Sequence, residues 1–116
     1  MFVGTGDDIV LRQVAVPIVN WNTCHDLDDA YRHFVTHNMI CAGPMQGNKG
    51  SCSGDSGGPL VCKQGDRWFQ YGTVSFGLDK VCATANHPVV YADVVTLLPW
   101  IQQHTGTGSY CRYLRR

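Results

Sequence analysis

Six cysteines in a chain of 116 residues are the feature that most limits how this sequence can fold. That density is unusual in a reducing compartment and common in secreted domains that disulfides cross-link. No pair has Cys-x-x-Cys spacing, so a zinc ribbon and a thioredoxin-like redox site both lack their pattern. The composition therefore predicts a disulfide-bonded extracellular domain, although spacing alone leaves every pairing open. The cysteines are Cys24, Cys41, Cys52, Cys62, Cys82 and Cys111.

Charge and hydropathy exclude several classes of partner. Nine basic residues balance nine acidic ones, so we expect neither nucleic-acid binding nor attraction to an anionic membrane. No apolar run approaches the roughly 18 residues of a membrane span. The N-terminal segment has neither the basic region nor the cleavage site of a signal peptide. Because the cysteines nevertheless suggest secretion, we expect the chain to lack the beginning of its protein.

Short apolar runs predict a mostly β domain with helices at two places. Asn22 or Thr23 stands where it can cap one intermediate helix. Thr96 precedes a C-terminal helix, in which Pro99 falls in the first turn and is tolerated. β-branched and aromatic residues predict strands in the segments VLRQVAVPIV, MICAG, PLVC, RWFQYGTVSFG and PVVYADV.

The segment GDSGG, residues 54–58, holds Ser56 among glycines, which let another backbone or a substrate approach closely. A serine hydroxyl is a poor nucleophile unless a base takes its proton. The N–H groups of Gly54 and Ser56 can converge on an oxygen that becomes negative during acyl transfer. A plain glycine-rich turn between two strands is the alternative. The α/β-hydrolase elbow, G-x-S-x-G, is disfavoured because it needs a strand before the serine and a helix after it.

The histidines form no recognisable site in the sequence. His33 and His37 have the i,i+4 spacing of a helical metal pair, but the glutamate of H-E-x-x-H is missing. We therefore expect solvated histidines, no metal site and no cofactor.

Five segments stand in the order found in trypsin- and chymotrypsin-like serine proteases: MICAG, CSGDSGGPLVC, GTVSFG, PVVYADV and PWIQQ. The chain resembles the C-terminal half of that family's catalytic domain. The resemblance implies the C-terminal β-barrel of a two-barrel fold, incomplete, with residues 1–106 as the partial protease domain and residues 107–116 as a tail. It also implies a secreted endopeptidase that acts on peptides or proteins through an acyl-enzyme.

The resemblance gives each matching residue a role. Ser56 matches the nucleophile, and the amides of Gly54 and Ser56 match the oxyanion hole. Asp55 matches the aspartate that pairs with a new N-terminus freed by zymogen cleavage. The residues that match the substrate cleft are Gly50, Ser51, Ser75, Phe76, Gly77 and Val89.

Two cleft positions bear on specificity. Gly50 stands at the pocket floor, where an aspartate would mark preference for Lys or Arg. Val89 stands where many family members have glycine. Since a buried cationic side chain without a partner is costly, we predict a preference for small to medium apolar side chains, nearer elastase or chymotrypsin than trypsin.

The resemblance also pairs Cys24 with Cys41 and Cys52 with Cys82. Cys62 matches a cysteine whose partner lies upstream, and Cys111 lies in the tail. Cys62 and Cys111 can therefore pair with each other or tether another chain, including the missing N-terminal half of the domain.

The family's catalytic histidine and aspartate have no match in this sequence, because neither of their sequence contexts occurs. Two hypotheses follow. The chain is the nucleophile half of a secreted serine endopeptidase, or it is a non-catalytic homologue that acts as a binding module or decoy. Under both hypotheses the isolated chain is predicted to be inactive, because Ser56 has no base.

Overall fold

The computed structural model describes residues 10–105, which form one antiparallel sheet and three helices. The five strands lie in the order β1-β2-β5-β4-β3. This confirms a mostly β fold with helical structure before the second strand and at the C-terminal end. The edge strands β1 and β3 do not pair, so the barrel is not closed. The strands are β1 Ile18–Val19, β2 Met39–Ala42, β3 Pro59–Gln64, β4 Arg67–Phe76 and β5 Val89–Asp93, and the helices are α1 Trp21–His25, α2 Asp29–Phe34 and α3 Val94–Thr105.

The first strand is much shorter than its apolar alternation predicts. Only Ile18–Val19 pairs with β2, and residues 10–17 form no strand. Val14 and Val16 still pack, partly buried, against the core. The alternation of apolar residues thus reflects a segment with one side packed on the core, and not a long strand paired with β2. Pro17, which has no N–H to donate, immediately precedes the paired residues.

The intermediate helical region consists of two short helices. Their N-caps are Asn20 and Asp28, and neither is one of the predicted caps, Asn22 and Thr23. The Asn20 side chain accepts hydrogen bonds from the N–H groups of Asn22 at 3.0 Å and Thr23 at 3.5 Å. Asn22 and Thr23 therefore lie inside α1. Asp28 accepts from the N–H of Tyr31 at 2.9 Å and starts α2.

The C-terminal helix also begins earlier than predicted. Asp93 accepts from the N–H groups of Val95 at 3.1 Å and Thr96 at 3.3 Å, as an N-cap does. The helix consequently begins at Val94, and Pro99 lies beyond its first turn. There Pro99 has no N–H to offer the carbonyl of Val95.

The central strand β5 separates two apolar clusters. Successive side chains of a strand point to opposite faces, so Val90 and Tyr91, both fully buried, enter different clusters. One cluster joins the sheet to α1 and α2 and contains Cys24, Tyr31, Val35, Cys41 and Val90. The other contains Ala42, Leu60, Val74, Val89 and Tyr91.

Two disulfides hold the loops to this framework. Cys24 is bonded to Cys41 and Cys52 to Cys82, with sequence separations of 17 and 30. These are the pairs that the resemblance implies, and the chain-entropy model gives about 3 kcal/mol or slightly more for each. Cys62, on β3, is half-buried and forms no disulfide with any cysteine within residues 10–105. Cys111 and the tail lie outside the described residues.

Candidate active site

Ser56 is exposed in a tight turn just before β3. The N–H of Asp55 donates to the carbonyl of Cys52 at 3.0 Å, and the N–H of Gly58 donates to the carbonyl of Asp55 at 2.9 Å. The Asp55 carboxylate accepts a further hydrogen bond from the N–H of Cys52 at 2.7 Å. The side chain next to Ser56 therefore fastens the turn that presents the serine.

The sheet fixes the position of this turn. The N–H of Gly57 donates to the carbonyl of Val74, and the N–H of Val74 donates to the carbonyl of Gly58, both at 2.9 Å. Val74 is buried in β4, so the turn is held by a rigid part of the sheet. Ser56 thus has a backbone position set on both sides by hydrogen bonds.

Gly54 supplies a backbone conformation that other residues rarely adopt. Its φ is +97°, and no heavy atom lies within 4 Å of a Cβ built at this position. The requirement for glycine is therefore conformational and not steric. Within residues 10–105, neither the N–H of Gly54 nor that of Ser56 donates to another protein group. Both N–H groups remain available to an external oxygen.

A cavity of about 260 Å³ opens beside Ser56. The end of β4 and the loop that follows form one wall, and the segment before the serine forms another. Five of the six residues predicted to form the cleft line it: Ser51, Ser75, Phe76, Gly77 and Val89. The sixth, Gly50, is buried next to this lining, where a Cβ would lie 3.4 Å from Val89 Cγ2.

The inner end of the cavity, at Ser51, lies near Tyr91 and the Asp55 carboxylate. Ser51 is buried, and Tyr91 beside it is fully buried. Burial raises the pKa of Tyr91 to about 12, against the opposing effect of a hydrogen bond with Ser51. Near neutral pH the phenol is therefore protonated. Ser51 and the apolar side chain of Val89 both line this part of the cavity.

Three charged or titratable residues that no sequence motif singled out also lie in the cavity wall. Asp79, Lys80 and His87 all line the cavity. His87, which was expected to be solvated, has a side chain only 30% exposed. Its Nδ1 donates to the Ala85 carbonyl at 2.8 Å. Their place in the sequence could have indicated them, because Asp79 and His87 lie on either side of Cys82. The disulfide of Cys82 holds that loop next to the serine turn.

Tyr31 connects this wall to the helical region. Its hydroxyl donates to the carbonyl of Pro88 at 2.7 Å across a sequence separation of 57 residues. The ring is fully buried, and burial raises the pKa of the phenol. Tyr31 therefore fixes the backbone between His87 and Val89, both of which line the cavity.

His33 and His37, which have i,i+4 spacing in the sequence, have different neighbours in the structure. His37 stacks on Trp21 with ring centroids 4.0 Å apart, whereas His33 packs edge-on against Phe34. Among residues 10–105, no group of three or more His, Cys, Asp or Glu side chains could hold a metal ion. No helix in the same range is long and apolar enough to cross a membrane.

Comparison with known proteins identifies similar sequences over most of the chain. The Trypsin family model matches residues 3–101. The chain is 44% identical over 92 residues to Transmembrane protease serine 5 of Homo sapiens, which covers 79% of this chain and 20% of that protein. It is 41% identical over 101 residues to Mannan-binding lectin serine protease 1 of Rattus norvegicus, which covers 85% of this chain and 14% of that protein. The chain thus spans a fifth or less of the length of these curated relatives.

Proposed function

Because this chain belongs to the trypsin family of serine proteases, we propose that it carries the nucleophile and part of the substrate cleft of a secreted serine endopeptidase. The observation that carries the proposal is the exposed Ser56, held in a turn with two available N–H groups next to a cavity. The family makes proteolysis the expected chemistry, and the two disulfides suit an oxidising compartment.

In the proposed reaction, Ser56 Oγ attacks the carbonyl carbon of the scissile peptide bond and forms an acyl-enzyme. The Oγ proton passes to a base and then to the leaving amine, and water releases the acyl group. We assign the base and its orienting carboxylate to the N-terminal half of the catalytic domain, since the sequence has no match for either. Asp55 is proposed to pair with the N-terminus that zymogen cleavage frees.

The N–H groups of Gly54 and Ser56 are proposed to stabilise the oxyanion that forms when the carbonyl carbon becomes tetrahedral. Removing one donor from such a site costs on the order of 100- to 1000-fold in kcat. Support comes from the absence of an internal acceptor for either N–H among residues 10–105. The positive φ of Gly54 holds this backbone in a conformation that a side chain would disfavour.

The substrate side chain is proposed to enter the cavity between Ser51, Gly77 and Val89. Phe76 and Gly77 are proposed to bind the substrate backbone as an added strand, with Ser75 at the edge of the cleft. Gly50 contributes no charge behind the lining, and Val89 Cγ2 fills the adjacent space. A small to medium apolar side chain suits this inner end, because a cation there would be buried without a partner.

A non-catalytic binding module is the second candidate. It is favoured by the cavity itself, which residues 10–105 form without any contribution from a first barrel. Under this candidate the cavity binds a peptide segment without cleaving it, and replacement of Ser56 leaves function unchanged.

Peptide hydrolysis distinguishes the two candidates. The protein that includes both this chain and the N-terminal half of its catalytic domain is activated and assayed with peptide anilides that vary beside the scissile bond. We expect the wild type to hydrolyse a peptide anilide and Ser56→Ala to be inactive. The matched control Ser109→Ala, in the tail, should retain the wild-type rate. Equal rates for wild type and Ser56→Ala would refute the proposal, and a total absence of hydrolysis with tight peptide binding would favour the binding module.

A further inference from the structure

The cavity wall carries a carboxylate that the proposed reaction does not use. Asp79 lines the cavity two residues after Gly77, and its side chain is 30% exposed. Val74 and Val89 line the same cavity. A single ligand bound in this cavity can therefore contact both apolar side chains and a carboxylate.

Hydrogen bonds within its own loop lower the pKa of this carboxylate. The Thr84 hydroxyl is the main cause of the lowered pKa of Asp79, and the N–H of Lys80, which donates to Asp79 Oδ1 at 2.7 Å, is the second. The single proton of the Thr84 hydroxyl can serve either Asp79 or the Val81 carbonyl, which lies 2.9 Å from the hydroxyl oxygen. The loop therefore places a carboxylate with a lowered pKa in the lining of the cavity.

No permanent cation neutralises Asp79. Among residues 10–105, its one ion-pair neighbour is His87, with Nδ1 at 3.8 Å from Oδ2, and that nitrogen already donates to Ala85. Lys80 lines the cavity but forms no ion pair with Asp79. Asp28, at the start of α2, adds a second negative charge to this region, since both carboxylates raise the pKa of Tyr31 after burial does.

We propose that Asp79 is a specificity-determining residue of the cavity, where it binds an ammonium or guanidinium group of the substrate. The inference rests on the proposed function and deepens it. The apolar side chain proposed for the inner end lies against Val89, and the cation that pairs with Asp79 belongs to another part of the same substrate. The cavity then selects for the position of a charge as well as its sign.

Binding of matched small ligands tests the proposal without requiring catalysis. The 116-residue chain with Ser56→Ala is titrated with n-hexylammonium and with the equally long neutral 1-hexanol, and backbone amide shifts are followed by NMR. We expect the ammonium to bind at least about tenfold more tightly, with the largest shifts at Asp79 and Lys80. Asp79→Asn should remove the difference, and Asp66→Asn, in the turn between β3 and β4, should retain it.

Equal affinity of the two ligands for the unaltered cavity would overturn the proposal, as would an ammonium preference that survives Asp79→Asn. If Asp79→Asn fails to fold, the location of the ammonium-induced shifts decides, and shifts confined to residues outside the cavity count against Asp79. Because Ser56 is absent from the tested chain, these results do not depend on peptide hydrolysis. Failure of the endopeptidase assay and failure of this binding test are therefore distinguishable.

Discussion

Gly47→Ala should destabilise the fold more than other substitutions of exposed or turn glycines, because two loops meet at this residue. The N–H of Asn48 donates to the carbonyl of Ala83 at 2.6 Å, and the N–H of Asn86 donates to the carbonyl of Met45 at 2.8 Å. These bonds join the segment before the serine turn to the loop that forms one cavity wall. Gly47 lies between the bonded residues and is buried.

The magnitude has two parts. The φ of Gly47 is +83°, and a residue with a Cβ pays about 1–2 kcal/mol to adopt that region. The added Cβ would also lie 2.6 Å from the Ala83 carbonyl oxygen and 2.7 Å from the Ala85 nitrogen. These are backbone atoms, so no side-chain rotation relieves the contact, and overpacking adds about 1–3 kcal/mol. The expected loss in unfolding free energy is therefore about 2–5 kcal/mol.

Gly65→Ala provides the matched control. Gly65 also has a positive φ, +61°, but nothing lies within 4 Å of a Cβ built there. Urea unfolding followed by tryptophan fluorescence should show a loss of about 1–2 kcal/mol for Gly65→Ala, which is the conformational part alone. The additional loss in unfolding free energy for Gly47→Ala measures the close contact of this position with the backbone of residues 83–85. Equal losses for the two variants would show that the two loops are not packed as described.

Three further predictions concern single side chains. Tyr31→Phe removes the buried hydrogen bond to Pro88 and should cost about 1–3 kcal/mol in urea unfolding, so an unchanged midpoint would contradict this contact. Asp93→Ala removes the N-cap of α3 and should cost about 1 kcal/mol with a loss of helical circular dichroism at its start, whereas Asp66→Ala should cost little. Burial raises the pKa of Tyr91 from 10.0 to about 12, so folding favours its neutral phenol. That contribution is fully present below pH 10 and lost as the pH rises toward 12. The unfolding free energy of the wild type should therefore fall across this interval more steeply than that of Tyr91→Phe, and parallel curves would refute the assignment.

Residue type predicted the sheet well and the element boundaries poorly. The strands β2, β4 and β5 fall within apolar runs that the sequence marks, and β3 extends two residues beyond the run PLVC. Each run contributes at least one buried side chain. The helix starts at Asn20, Asp28 and Asp93 were missed, since a cap is decided by which side-chain oxygen reaches the free N–H groups. Several polar residues near each helix start are of the types that N-cap positions prefer, so residue type alone does not choose among them.

The candidate site shows the same division. The GDSGG segment identified the serine turn because its glycines and its aspartate act within a few residues of one another. The place of Asp79 and His87 in the cavity lining was found only from the three-dimensional structure. Their place on the cavity depends on the disulfide between Cys52 and Cys82 and on the contact between Tyr31 and Pro88, both of which join distant parts of the chain.

The most direct test of the central claim is the covalent labelling of Ser56. A fluorophosphonate, which reacts with the activated serine of a serine hydrolase, is added to the activated protein containing this chain, and peptide mapping by mass spectrometry locates the adduct. The account predicts one adduct on Ser56, and no adduct on the isolated 116-residue chain, because we assign the base to the N-terminal half of the catalytic domain. Labelling of another serine in place of Ser56, or rapid labelling of Ser56 in the isolated chain, would contradict it.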